Sequence, residues 1–239
     1  MMSFIKKLFF SIIIFILLLV AYLTYSGYNM YKNAISQISI SNKVEQIQSK
    51  KNYTKLDEMT SMYKDAVVAI EDHRFFEHPG IDFISVLRAF LVNIKEGELE
   101  QGGSTISQQL AKNMFFTQEK HFSRKVAELF VVSDLEKNYS KETILELYIN
   151  TIYFGQGYYG IGDASKGFFN KLPIELSDYE STYIAGIPNA PSIYSSEKYS
   201  NLAQKRHKIV LNSMVKSGVI SEEEANRIYN SKKWQASCI

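Results

Sequence analysis

The residues best equipped for chemistry open two short segments, Glu71-Asp72-His73-Arg74-Phe75-Phe76-Glu77-His78-Pro79-Gly80 and Gln101-Gly102-Gly103-Ser104-Thr105-Ile106-Ser107-Gln108-Gln109-Leu110-Ala111-Lys112-Asn113. Carboxylates can move a proton on a sugar hydroxyl, amide side chains can hold sugar hydroxyls, and cations can hold a phosphate. Glu71 stands among Val67, Val68, Ile70, Phe75 and Phe76. Such apolar surroundings can lift a carboxyl pKa toward the range of a general base. The alternative is an ordinary solvated acid at a helix end. His73 and His78 have no evident third ligand, so no metal site is read from them.

Gly102-Gly103-Ser104-Thr105 reads as a flexible loop feeding a helix start, where free backbone N–H groups suit an anion or a sugar oxygen. Gln108 and Lys112 follow four residues apart on one face, with Gln109 beside them. Lys120, Arg124 and Lys125 then surround Glu128. Arg124 and Glu128, four apart, fit a local helix salt bridge as well as they fit a cationic grip on a diphosphate. Spacing alone leaves both open.

Helices must position these groups. Met59, Met62, Tyr63, Ala66, Val67 and Ile70 recur at helical spacing, which puts Glu71 and Asp72 at a helix end or just past it. Thr105-x-x-Gln108, Ser177-x-x-Glu180 and Ser221-x-x-Glu224 match the capping box and mark three further starts. Leu129, Val132 and Leu135, then Ile144, Leu147 and Tyr148, continue the period, and strand signals are scarce. Residues 83–94 are apolar nearly all round. They read either as a buried core helix or as a segment dipping into lipid headgroups.

From Leu8 to Tyr31 no residue is charged, and about 20 apolar residues cross a bilayer. Lys6 and Lys7 put the N-terminus in the cytoplasm, and Tyr22, Tyr25, Tyr28 and Tyr31 collect at the far interface. The run is long for a cleaved signal and lacks a small-x-small site after it. The expected organisation is a cytoplasmic tail (1–7), a transmembrane anchor (8–31), a polar stalk (32–56) that partly joins the domain, and one mainly α domain (57–239) outside the membrane. The net charge of +2 and the lack of a basic stripe exclude nucleic acid as the partner. The single cysteine, Cys238, excludes disulfides within the chain and cysteine metal sites.

Taken in order, these segments resemble the peptidoglycan glycosyltransferases of glycosyltransferase family 51, in particular the monofunctional, membrane-anchored type. Glu-Asp-x-x-Phe-x-x-His-x-Gly matches 71–80, and Gly-x-Ser-Thr-Ile-x-Gln-Gln-x-x-Lys-Asn matches 102–113. Arg-Lys-x-x-Glu continuing to Leu-Glu matches 124–136, and Lys-x-x-Ile-Leu-x-x-Tyr-x-Asn matches 141–150; Arg206 with Val210-Leu211 is a last element. The resemblance runs from about Tyr63 to Val219. It departs at Val132, where Ala is usual, and at Gln156, where Arg is common. No Ser-x-x-Lys pattern of the transpeptidase kind follows Val219 in this sequence, so glycosyl transfer without transpeptidation is expected.

The resemblance implies a lysozyme-like helical fold with a smaller membrane-associated jaw, which suits the apolar 83–94 segment. It implies Glu71 as general base toward the 4-hydroxyl of the acceptor lipid II, and Glu128 as a second catalytic glutamate. Lys112, Arg124 and Lys120 or Lys125 would hold the diphosphate. Ser104, Gln108 and Gln109 would line the sugar cleft with Asp72 in support. The implied partners are lipid II, the growing lipid-linked glycan, membrane lipids and other cell-wall synthesis proteins. No cofactor is required on this reading, although Mg²⁺ or Mn²⁺ helps some family members. Two rivals stand beside it. A lysozyme-like glycan cleaver needs a protonated acid but no diphosphate grip, and an anchored scaffold has no use for either glutamate.

Overall fold

A computed structural model describes residues 2–88, 103–116, 121–196 and 200–231. Lys120, Gly102, Cys238 and residues 89–94 of the apolar segment lie outside them. The chain starts with α1 (Met2–Gln37), one unbroken helix of 36 residues. It is long and apolar enough to cross a membrane, and its side chains are exposed from Phe4 to Val20. At 1.5 Å per residue the helix is about 54 Å long, so a hydrocarbon layer of about 30 Å takes little more than half of it.

The expected stalk is largely built into the domain. Ser39 caps α2 (Ile40–Gln48) by accepting from Asn42 N at 3.1 Å, and the helix buries Val44 and Ile47. Asn150 then clasps the backbone of Thr54, accepting from its N at 2.9 Å and donating to its carbonyl at 2.7 Å. The packed domain therefore includes α2 and Thr54, ahead of Asp57.

α3 (Ser61–Glu71) starts where Thr60 Oγ1 accepts from Tyr63 N and ends on Glu71, as its periodicity predicts. A short helix α4 covers residues 83–88. There follow α5 (Ile106–Phe115), α6 (Phe122–Asn138), α7 (Lys141–Ile149), α8 (Ile161–Phe169), α9 (Asp178–Ala185), α10 (Pro191–Tyr194), α11 (Ser200–Lys216) and α12 (Glu222–Asn230). All three predicted capping residues start helices: Thr105 and Ser177 form reciprocal boxes, whereas Glu224 turns from Ser221 to Arg227. Among the described residues the one β pairing is an isolated bridge, Tyr153 to Tyr159. The fold is mainly α, as expected.

Two layers share one core. α3 packs on α9 and α11, while α5 packs on α6 and α7. Tyr63, Phe75, Ile106, Leu110, Leu135 and Tyr148 are fully buried between them. Burying each such side chain contributes about 1.5–3 kcal/mol, enough in sum to hold two helix ends, Glu71 and Ile106, against each other.

In α11, His207 is fully buried against Tyr179, Tyr183 and Tyr229. Thr182 Oγ1 donates to Asp178 O at 2.8 Å, so His207 Nε2 carries the proton it shares with that hydroxyl at 2.8 Å. Burial pushes the imidazole pKa down to about 4. The unfolded chain binds a proton on this His below about pH 6.5 and the folded chain only below about 4, so stability falls as pH drops between the two. Unfolding measured at pH 7 and pH 4.5 should show a loss about 2–3 kcal/mol larger in the parent than in His207→Phe. Equal losses would remove His207 as the cause.

Part of α4 lies on the surface. Phe83, Ile84 and Leu87 are exposed, so residues 83–88 are not a core helix. At about 1.5–3 kcal/mol per buried side chain, three such residues suffice for reversible lipid binding. Cutting away residues 1–25 should leave a domain that still floats with liposomes, and Leu87→Asp should release it. Recovery of the truncated domain in the lipid-free fraction would count against a membrane-associated jaw.

Candidate active site

The end of α3 delivers Glu71 to a small polar relay. Gln109, on α5, donates from Nε2 to Glu71 Oε2 at 2.7 Å, and Tyr148, on α7, donates to Gln109 Oε1 at 3.2 Å. From α11, Arg206 Nη2 lies 3.8 Å from Glu71 Oε1, while its Nε donates to Gly186 O at 3.3 Å. Groups from α5 and α11 thus meet the carboxylate at the end of α3, with α7 behind Gln109, and its side chain keeps 13% of its surface exposed. Burial pushes its pKa up, and the neighbouring Asp72 adds to the rise. The Gln109 hydrogen bond, Arg206 and Lys112 pull the other way without cancelling it. A carboxylate that is oriented, partly open to solvent and raised toward neutrality can accept a proton.

Asp72 turns inward instead. Both its oxygens lie 3.0 Å from His78 Nε2, and Oδ2 accepts from Ile106 N at 3.1 Å. Gly80 N donates to His78 Nδ1 at 3.1 Å, which leaves the ring proton on Nε2 facing the carboxylate. Thr105 Oγ1 donates to Gly80 O at 2.6 Å, and Gln108 Oε1 accepts from Thr105 N at 3.1 Å. These bonds buckle the 72–80 turn onto the start of α5. Gly80 has a φ of +92°, and a Cβ there would lie 2.6 Å from Val132 Cγ1, so only glycine suits the turn. Gln108, expected to line the sugar cleft, and Asp72, expected to support it, are 4% and 7% exposed, with their carbonyl and carboxylate oxygens engaged inside the protein.

Asp72, His78 and Asp82 place their ligand atoms within 4.8 Å of one another. Asp82, however, pairs with Arg74 at 3.0 Å and accepts from Ser85 N at 2.9 Å, and Asp72 is committed as described. Each group already has its partners, so the trio reads as turn architecture.

The cations gather on α6 and α5. Glu128 is 1% exposed, ion-paired to Arg124 and, at 3.1 Å, to Lys125 Nζ. Lys125 Nζ also donates to Ser104 Oγ at 3.0 Å, tying the loop before α5 to α6. Lys112 is half-buried: burial lowers its pKa, Glu128 and Glu71 raise it, and Arg124 and Lys125 lower it. It therefore lies within the field of both glutamates. Glu71 with Gln109 makes one polar group and Ser104, Arg124, Lys125 and the buried Glu128 another; Lys112 feels the charges of both, and the three cations among these residues outnumber the two acids. Together they can deprotonate a hydroxyl at one end and hold a polyanion at the other.

Sequence reading did not assign roles to Tyr148 or to the Arg206 contact with Glu71. Both sit in patterns noticed above, 141–150 and 206–211, but nothing in those spacings says that α7 and α11 converge on α3. A further brace was missed as well. Glu136 accepts from Lys141 Nζ at 2.9 Å and from Ser107, with Lys141 Nζ 4.5 Å from the Phe75 ring centre.

Known proteins bear on this site. The family model described as Transglycosylase matches residues 38–215. Penicillin-binding protein 1A/1B of Bacillus subtilis is 41% identical over 179 residues, which covers 74% of this chain and 20% of that protein. Penicillin-binding protein 1F of the same organism is 44% identical over 170 residues, 71% of this chain and 24% of that protein. Penicillin-binding protein 1A of Neisseria flavescens is 38% identical over 180 residues, 75% of this chain and 23% of that protein. The chain spans about a fifth to a quarter of these relatives' length.

Proposed function

The chain belongs to the transglycosylase family, and on that premise we propose that it is a peptidoglycan glycosyltransferase of cell-wall synthesis that polymerises lipid II. The carrying observation is Glu71: a raised, partly exposed carboxylate aimed by Gln109, with Lys112 in its field. Glu71 takes the proton from the 4-hydroxyl of the acceptor's GlcNAc. That oxygen attacks C1 of the MurNAc at the reducing end of the growing chain, and the C1–O bond to the diphosphate breaks with inversion. The electron pair leaves on undecaprenyl diphosphate, whose charge Lys112, Arg124 and Lys125 stabilise. Glu128, buried between Arg124 and Lys125, holds those two cations in place.

Hydrolysis of a glycan strand is the weaker reading. It calls for a protonated acid at a neutral glycosidic oxygen and has no use for three convergent cations. Because those side chains supply the charge themselves, polymerisation is expected to persist in EDTA, with Mg²⁺ or Mn²⁺ adding to it. The N-terminal helix would hold the enzyme in the membrane with its catalytic domain outside, where both lipid-tailed substrates lie. Detergent-solubilised protein given labelled lipid II should yield polymer on a gel. Release of small saccharides from preformed glycan, with no polymer from lipid II, would point to the cleaver.

A further inference from the structure

We propose that the outer end of α1 is a strut rather than a tether: docked on α6, it holds the catalytic domain at one fixed height on the bilayer. The proposal rests on the glycosyl-transfer reading above. About 20 helical residues cross the hydrocarbon layer, and counted from Leu8 they reach Gly27. Gly27 is where α1 meets α6. A Cβ there would lie 2.6 Å from Val126 Cβ and 2.9 Å from Ser123 O, so the two helices touch backbone to side chain with no room for more. Beyond it, the Tyr28 and Tyr31 rings pack on Phe130 with centroids 5.3 and 5.5 Å away, and Tyr31 donates to Asp134 Oδ2 at 2.5 Å.

Ser123, Val126, Phe130 and Asp134 are spaced three, four and four apart, one stripe along α6. Arg124 and Glu128 lie on the neighbouring stripe of the same helix. The helix that grips the anchor is thus the helix that carries the diphosphate cations. α1 runs unbroken through Gly27 to Gln37, so no hinge separates the membrane from this dock. Phe122, 83% exposed, precedes Ser123 and puts an apolar ring at the level where the count places the bilayer surface. A sugar diphosphate on a lipid tail can rise only a little from the headgroups. A domain held at that level meets it without a search in height, a gain of the positioning kind.

Two insertions between Tyr25 and Ser26 test this, since both leave the dock on the domain side. One is a flexible Gly/Ser linker of about ten residues, which frees the height. The other is a rigid helical insert of seven residues, which raises the domain by about 10 Å. Each is compared with the parent in proteoliposomes on lipid II of full tail length, and in detergent on a short-tailed, water-soluble lipid II analogue. The expected result is a fall in kcat/KM of about 10-fold or more in the bilayer for both insertions, with parent rates on the soluble analogue. Parent-like rates in the bilayer would reduce the anchor to a tether and overturn the proposal. Equal losses on both substrates would overturn it too, because the effect would then not run through the membrane. If the parent itself fails to polymerise either substrate, the glycosyl-transfer reading fails, and not the strut.

Discussion

Glu71→Gln is expected to leave a folded protein that polymerises lipid II about 10²–10⁴-fold more slowly, the usual consequence of losing a general base. Gln keeps the shape and offers Gln109 a carbonyl oxygen in place of the carboxylate, but it cannot take the hydroxyl proton. The same substitution should stabilise the protein at neutral pH. Because the folded-state pKa of Glu71 is raised by burial, the unfolded chain ionises this group more readily. Its contribution to stability is therefore fully present below the ordinary glutamate range and is lost as pH rises through the raised value. Gln removes that loss, so the variant's advantage should appear at pH 7 and vanish below about pH 4, where the parent carboxyl is protonated in both states. In the parent, the acid limb of kcat/KM should lie above the ordinary glutamate value. Near-normal polymerisation by the variant would take Glu71 out of the role. An inactive variant less stable than the parent at pH 7 would deny that the carboxylate is held there against its own preference.

Arg124→Ala should lower turnover on lipid II by roughly 10²-fold, about 2.7 kcal/mol, through the diphosphate. An exposed i,i+4 pair would be worth only about 0.2–0.5 kcal/mol. This pair is different, because Glu128 is 1% exposed and an acid buried at that depth needs its partners. Lys125 remains at 3.1 Å, so the fold should survive with a loss of about 1–3 kcal/mol, less than for a fully orphaned buried charge. Arg124→Lys separates the two roles. A lysine restores charge but not the planar fork, so it should recover stability more than turnover. If thermal stability falls in Arg124→Ala while turnover per folded molecule stays at the parent level, Arg124 is a structural partner of Glu128 and does not grip substrate.

Much of this was legible in the residues themselves. A helix end is a local matter: the apolar period through Ile70 and the Thr105–Gln108 box follow from neighbours three and four apart, so the boundaries at Glu71 and Ile106 could be read directly. The anchor was legible for the same reason, since bilayer thickness and helix rise fix its length without reference to any other element. Membership of a glycosyltransferase family was visible too, because several long patterns stand in order.

What each polar side chain faces was not legible. Gln108 and Gln109 are adjacent amides of identical chemistry. One closes its own helix cap, and the other reaches Glu71, because the 100° of helical turn between them points them in different directions from α5. Asp72, one residue past Glu71, leaves the helical backbone and points to His78, a partner six residues on that the helical period through Ile70 does not indicate. Arg206 lies far along the chain from Glu71, and only the packing of α3 on α11 brings them to 3.8 Å. The dock of α1 on α6 is likewise a contact between segments about a hundred residues apart, which no local period can announce. The sequence by itself determined which groups exist, which helices carry them and which chemistry they can do. The tertiary structure decided which of them come together, because the choice between cap, core and cleft depends on neighbours that only folding supplies.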